Sequence, residues 1–207
     1  MLVLFGGLPG TLNIVDHLNL AALNGIMKMK GFMLLELSKT KGIPVGVMDE
    51  QKAVGIVQAA VIFADEAKVI GFLVKPKGIL TPKKVVSFQD VVGIDPKGLV
   101  INSADNLLPT DEVLRIKEIL KSGFKLIGLP ARTKNKKYLG RITDVVIETI
   151  SGDIIRLYVR NLLDERIFER SMIHDIKPKE VILTFDNRKK VVKKEAVANA
   201  QKVAEPA

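Results

Sequence analysis

An internal duplication constrains the fold of this chain more than any other feature of its sequence. Residues 54–75 repeat as residues 139–160 at an offset of 85. After a three-residue deletion the register resumes, and residues 91–101 correspond to residues 173–183. Two copies at so long a period do not fit a solenoid, whose repeats of roughly 20–50 residues stack in larger numbers. The sequence therefore predicts two similar small domains.

Each copy has the residue pattern of β-strands joined by short turns. Alternate residues of the segment 155–160 are apolar, and the residues between them are two arginines and a tyrosine. This period of two predicts one buried face and one exposed face, with Arg156, Tyr158 and Arg160 exposed together. A sheet of few short strands exposes its edges unless it closes, so a compact barrel is favoured for each copy.

The duplication also divides the chain into segments. A helix is expected over residues 110–121, with Thr110 as its N-cap and Gly123 at its end. The predicted fold is mainly β, with two small β-barrels in tandem joined by this short helix. The predicted segments are an N-terminal extension (1–32), a first barrel (33–105), a helical linker (106–123), a second barrel (124–186) and a basic tail (187–207).

The N-terminal extension is apolar, but its pattern is not that of a secretory signal. No lysine or arginine precedes its apolar part, and polar residues interrupt that part before the roughly 20 residues that a membrane span needs. It is interpreted either as a short helix or as an irregular extension that follows from an early start codon. We expect the protein to be cytoplasmic.

The ordered set of these elements, present twice, resembles the PRC-barrel family. The resemblance is carried by the openings Gly42-Ile43-Pro44 and Gly128-Leu129-Pro130, by the strand Leu139–Val145, and by the strand–loop–strand run Val86–Ile94. It covers both copies and implies a small six-stranded barrel in each. Members of this family include the cytoplasmic part of a photosynthetic reaction-centre subunit and the C-terminal half of a ribosome maturation factor. The resemblance implies a barrel that binds other macromolecules and catalyses no reaction.

The composition narrows the chemistry that the chain can carry out. It contains no cysteine, which excludes disulfides, thiolate-bound zinc, Fe–S clusters and thiol catalysis. Ser171, His174 and Asp175 lie close together in sequence, but the repeat places Val92 and Gly93 opposite the last two, as at ordinary strand positions. We therefore predict no catalytic residues, no metal site and no cofactor, and the chain is not expected to be an enzyme.

The positive charge is concentrated in the second copy and the tail. The whole chain carries a net charge of +9, of which residues 124–186 contribute +3 and residues 187–207 contribute +4. The first copy contains no arginine, whereas the second contains six, and arginine is favoured at interfaces and on phosphates. A merely solvated surface is the competing interpretation. The candidate partner-binding residues are Arg132, Lys136, Lys137, Arg141, Arg156, Tyr158, Arg160, Arg166 and Arg170.

These observations favour a non-catalytic tandem PRC-barrel adaptor that binds another protein. The first alternative is an RNA-associated factor in ribosome maturation or rRNA processing. The weaker alternative is a membrane-surface adaptor whose basic tail lies near anionic lipid.

Overall fold

The computed structural model describes residues 33–78 and 80–184, which are mainly β-strand with one α-helix. The first copy and the segment after it contain β1 (Leu34–Glu36), β2 (Pro44–Val47), β3 (Lys52–Phe63), β4 (Lys68–Pro76), β5 (Lys84–Ser87), β6 (Val91–Asp95), β7 (Gly98–Ile101) and β8 (Leu108–Pro109). The helix α1 (Leu114–Ser122) follows. The second copy contains β9 (Pro130–Thr133), β10 (Tyr138–Glu148), β11 (Ile154–Arg160), β12 (Glu165–Glu169), β13 (Ile173–Ile176) and β14 (Val181–Leu183).

The strands form two sheets that share one topology. The first sheet has the order β6-β7-β2-β3-β4-β5-β8, and the second has the order β13-β14-β9-β10-β11-β12 with β1 added beside β10. Each strand of the second sheet from β9 to β14 therefore occupies the place of its repeat counterpart in the first. Within the described residues, the backbone pairing leaves each sheet open between its end strands.

The core runs through both copies. A single cluster of buried apolar side chains includes Leu35, Phe72 and Leu99 from the first copy and Leu157 and Phe168 from the second. Unfolding either copy would expose apolar surface of this shared cluster to water. We therefore expect the two copies to unfold cooperatively.

The two copies meet at the turns between their longest strands. The Val69 N–H donates to the Gly152 carbonyl (2.8 Å), and the Ile154 N–H donates to the Ala67 carbonyl (3.0 Å). These residues are counterparts at the offset of 85, so the contact is reciprocal. Gly152 has φ +78°, and a Cβ there would lie 2.6 Å from the Val69 oxygen. A reciprocal contact of this kind is what a local two-fold axis between the copies produces.

The segment that leads into each copy packs on the other copy. Strand β1 of the first copy pairs antiparallel with β10 of the second, with Leu35 opposite Ile147. Helix α1, which leads into the second copy, packs Ile116 against Val61 and Val85 of the first sheet. The Arg115 guanidinium also lies 3.8 Å from the centroid of the Phe63 ring. The two copies are therefore held together because each contributes one secondary-structure element that packs on the other.

The helix differs at its start from the sequence-based expectation. It begins at Leu114, and the N-cap position is Val113, which makes no side-chain cap, so the prediction of Thr110 as the cap is wrong. Residues 108 and 109 pair with β5, and the Glu112 N–H donates to the Pro109 carbonyl, which keeps this stretch in a turn. The predicted end is confirmed, because Gly123 is left-handed and its N–H donates to Leu120. No helix among the described residues combines the length and apolar character that crossing a bilayer requires.

Candidate partner-binding site

Two of the predicted arginines lie side by side on the second sheet. Arg141 on β10 is directly opposite Arg160 on β11, and both side chains are exposed. The Arg141 Nη1 donates to the Gly128 carbonyl (2.8 Å), and the Arg160 Nη2 lies 3.1 Å from the Glu165 Oε1. These contacts hold the two guanidinium groups at one end of the sheet.

The turn between β9 and β10 brings further cations to the same end. Arg132 is opposite Tyr138, and its guanidinium lies 5.7 Å from the tyrosine ring centroid. Two backbone hydrogen bonds close the turn, from the Thr133 N–H to the Lys137 carbonyl and from the Lys136 N–H to the Thr133 carbonyl, both 2.9 Å. Both lysine side chains are exposed. The structure therefore brings five predicted residues together, namely Arg132, Lys136, Lys137, Arg141 and Arg160.

An open groove with a volume of about 720 Å³ lies beside these residues. We call it the arginine–leucine groove, and it is lined by Tyr138, Arg141, Thr143, Arg160, Leu162 and Leu163, together with Asn161. Leu162 is 104% exposed and Leu163 is 95% exposed. The Asn161 Oδ1 accepts the N–H groups of Leu163 and Asp164, both at 2.8 Å, which fixes the loop that carries the leucines. The site thus offers apolar surface beside two cations.

Tyr158 does not belong to this site, and the prediction that it is exposed is wrong. Its side chain is only 5% exposed and packs with Val146, Ile167 and Leu34. Its hydroxyl donates to the Glu36 Oε1 (3.3 Å). Burial, followed by the nearby Glu36 carboxylate, raises the pKa of Tyr158 to about 12. The period of two placed Tyr158 on the outer face of the sheet, but two side chains of β1, Leu34 and Glu36, cover it there.

The other three predicted arginines do not line the groove. Arg156 is partly buried opposite Val146. The Arg166 Nη2 lies 2.6 Å from the Asp164 Oδ2, and its Nε donates to the same oxygen. The Arg170 Nη2 donates to the Glu66 carbonyl of the first copy at 3.3 Å. Arg166 therefore makes a local ion pair, and Arg170 contributes to the contact between the copies.

The sequence-based reasoning missed the two leucines, although a signal for them was present. They stand between Asn161 and Asp164, which are turn formers, directly after the alternating segment 155–160. The corresponding loop of the first copy also exposes a leucine, since Leu80 is 95% exposed. Apolar residues at the tips of both loops therefore accompany the duplication.

The described residues contain no group of three or more histidine or acidic side chains placed to hold a metal ion. One buried carboxylate has a structural explanation. Glu148 accepts the N–H groups of Ile150 (2.8 Å) and Ser151 (2.6 Å) at the β10–β11 turn. Burial acts to raise the pKa of Glu148, but the Ser151 side chain and these two backbone N–H groups together outweigh burial and hold the pKa below its usual value.

Comparison with known proteins matches part of the chain to a family model. No curated protein matches the chain. Residues 118–204 match the family model of the PRC-barrel domain, a range that begins within α1 and includes β9 to β14. The family resemblance drawn from the sequence is thus confirmed for this part of the chain. The second half of the chain contains a PRC-barrel domain.

Proposed function

We propose that this protein is a tandem PRC-barrel adaptor, which binds another protein through the arginine–leucine groove and catalyses no reaction. The tandem arrangement is supported by the shared strand order of the two sheets and by the reciprocal backbone contact between their turns. In this proposal each sheet is one PRC-type barrel, and α1 joins the two.

The observation that carries the proposal is the exposure of Leu162 and Leu163 beside Arg141 and Arg160. Fully burying a leucine is worth about 1.5–3 kcal/mol, so a partner that covers both gains about 3–6 kcal/mol. Arginine and tyrosine are enriched among the residues that dominate binding energy at protein interfaces, and Tyr138 lines the same groove. The partner surface that fits is apolar at its centre and acidic at its rim.

A photo-crosslinking amino acid placed at position 163 of the full-length chain tests the proposal. We expect one protein to cross-link from this position, and we expect that product to survive ribonuclease treatment. The matched control is the same amino acid at Ile150, which is also exposed but lies at the opposite end of β10. Equal cross-linking from both positions, or loss of the product with ribonuclease, would contradict a protein partner in the groove.

An anionic membrane surface is the second candidate. It is favoured by the exposed leucines at both loop tips, because Leu80 is flanked by the exposed Lys77 and Lys83 as Leu163 is by arginines. Apolar tips within basic rims suit the boundary between headgroups and acyl chains. In this case the full chain floats with anionic vesicles but not with neutral vesicles, and Leu80→Ser weakens flotation as much as Leu163→Ser does.

A further inference from the structure

One edge of the second sheet is covered by β1. This strand lies beyond the end of β9 and pairs with Val146–Glu148 of β10. The Thr149 N–H, just after β10, donates to the Met33 carbonyl (3.0 Å). The buried side chain of this added strand is Leu35, which belongs to the main core cluster.

The first sheet has an equivalent edge along β3, and the hydrogen bonds that lead up to it have the same register as those in the second sheet. The Val57 N–H donates to the Ile43 carbonyl (2.9 Å), as the Ile142 N–H donates to the Leu129 carbonyl (2.9 Å) in the second copy. A bulge follows in both long strands, between Val61 and Ile62 in β3 and at the equivalent point of β10. The two edges are therefore equivalent up to the point where β1 is added.

Beyond that point the edge of β3 has no strand beside it among the described residues. Residues 59–63 pair only with β4, on the opposite side. The N–H of Ala64, the counterpart of Thr149, has no backbone acceptor among the described residues. The openings Gly42 and Gly128 are 86 residues apart, so the counterparts of Leu34–Glu36 upstream of them are residues 120–122, which form the last turn of α1. A helical backbone rises only about 1.5 Å per residue and is not extended, so it cannot match the hydrogen-bond spacing of a strand edge.

An open cavity of about 420 Å³ borders this edge. Ile62, Phe63 and Ala64 line it from β3, and Ile119 and Phe124 line it from the end of α1 and the residues after it. Leu129 and Ile176 of the second sheet also contribute. The space beside the unpaired edge is therefore largely apolar.

We propose that the edge of β3 from Val61 to Ala64 accepts an extended, apolar segment of a partner protein as an additional strand. The chain shows the bound form of an equivalent edge, since β1 occupies it in the second copy. Backbone bonds supply affinity in such a mode, and alternate side chains supply specificity.

The chemistry of the incoming segment follows from the counterparts of the residues that contact β1. Its central residue takes the place of Leu35 and must be apolar, because Ile62 lines that side of the edge. The next residue takes the place of Glu36, whose carboxylate meets the Tyr158 hydroxyl. The counterpart of Tyr158 is Leu73, so an apolar residue replaces the acidic one. This site shares no residue with the arginine–leucine groove and stands independently of the proposed function.

The probe is a fluorescent synthetic peptide with the sequence of residues 31–41 that carries Glu36→Val, added to the full-length protein. We expect saturable binding by fluorescence anisotropy, and we expect hydrogen exchange at the Ala64 amide, followed by NMR, to slow when the peptide is bound. The same peptide with Leu35→Lys as a further change is the control and should not bind, because it places a charge in the apolar slot.

Two protein variants complete the test. Ala64→Pro removes the N–H at the edge and should weaken binding at least about tenfold, since one hydrogen bond is lost and its acceptor is left unpaired. Ala64→Val keeps the N–H and should bind as the wild type does. No saturable binding up to about 1 mM peptide would overturn the proposal. Binding that leaves the Ala64 amide unprotected, or that speeds exchange at Thr149 by displacing β1, would also overturn it. If Ala64→Pro does not fold, the exchange measurement on the wild type decides.

Discussion

Asp144 holds the first copy on the second, and replacing it tests that contact quantitatively. Its carboxylate accepts the backbone N–H of Ser38 (3.1 Å), the Ser38 hydroxyl, and the N–H of Val145 (2.7 Å). Asp144 is 7% exposed, whereas its counterpart in the first copy is the exposed Ala59. The polar residue is thus buried only where the segment after β1 lies over it.

The size of the effect follows from the burial of the donors. Val145 is fully buried, so losing its acceptor leaves an unpaired N–H that costs about 1–3 kcal/mol. Ser38 is exposed and regains water, so its bonds contribute about 0.5–1.5 kcal/mol. We therefore expect Asp144→Ala to lower the free energy of unfolding by about 2–3 kcal/mol and Ser38→Ala by about 1 kcal/mol.

Urea unfolding of the full chain, followed by circular dichroism, measures both values. Ala59→Asp is the matched control and should change the free energy of unfolding by less than about 0.5 kcal/mol, because its position is exposed. A double-mutant cycle should show that the effects of Asp144→Ala and Ser38→Ala are not additive. If Asp144→Ala changed stability no more than the control, the contact would not hold the copies together.

Three further predictions concern the turns and the groove. Gly152→Ala should lower the melting temperature markedly, since a Cβ there meets backbone at 2.6 Å, whereas Gly123→Ala, at similar positive φ in open space, should cost only about 1 kcal/mol. The pKa of Glu148 is lowered in the folded state, so its contribution to stability is present above the unfolded-state pKa and is lost as the pH falls through the folded-state pKa. Glu148→Gln should therefore make the free energy of unfolding less dependent on pH below about pH 5. Replacing Leu162 and Leu163 by serine should leave the unfolding free energy within about 0.5 kcal/mol of the wild type, because both are exposed; a larger loss would show that they pack in the free protein.

The parts of the fold that depend on local pattern could be predicted from the sequence. The sequence Asp-Pro-Lys-Gly at residues 95–98 is typical of a turn, and the turn forms there: the Asp95 Oδ1 accepts the N–H groups of Lys97 (2.6 Å) and Gly98 (3.0 Å). The strands on either side of it, β6 and β7, follow from the repeat. Turn chemistry and strand periodicity act over a few residues, so a single sequence contains them.

The parts that depend on distant contacts could not be predicted. Strand β1 pairs with residues more than a hundred positions away, and its repeat counterpart is helical, so the duplication itself gave no indication of the pairing. The wrong assignment of Tyr158 to an exposed face has the same cause. The side chain that covers it, Leu34, lies on β1 and comes from the other copy. At the candidate site, the cluster of arginines followed from composition, but its apolar centre required the loop geometry that Asn161 fixes.

The proposal that a partner protein binds in the arginine–leucine groove is tested most directly by calorimetry. The partner that cross-linking identifies is purified and titrated into the full-length protein. We expect Leu162→Ser combined with Leu163→Ser to weaken the affinity at least about a hundredfold, because burial of two leucines is lost. Leu80→Ser, in the equivalent loop of the first copy and equally exposed, should leave the affinity unchanged. Equal affinities for the wild type and the double variant, or equal losses from the double variant and Leu80→Ser, would contradict the account.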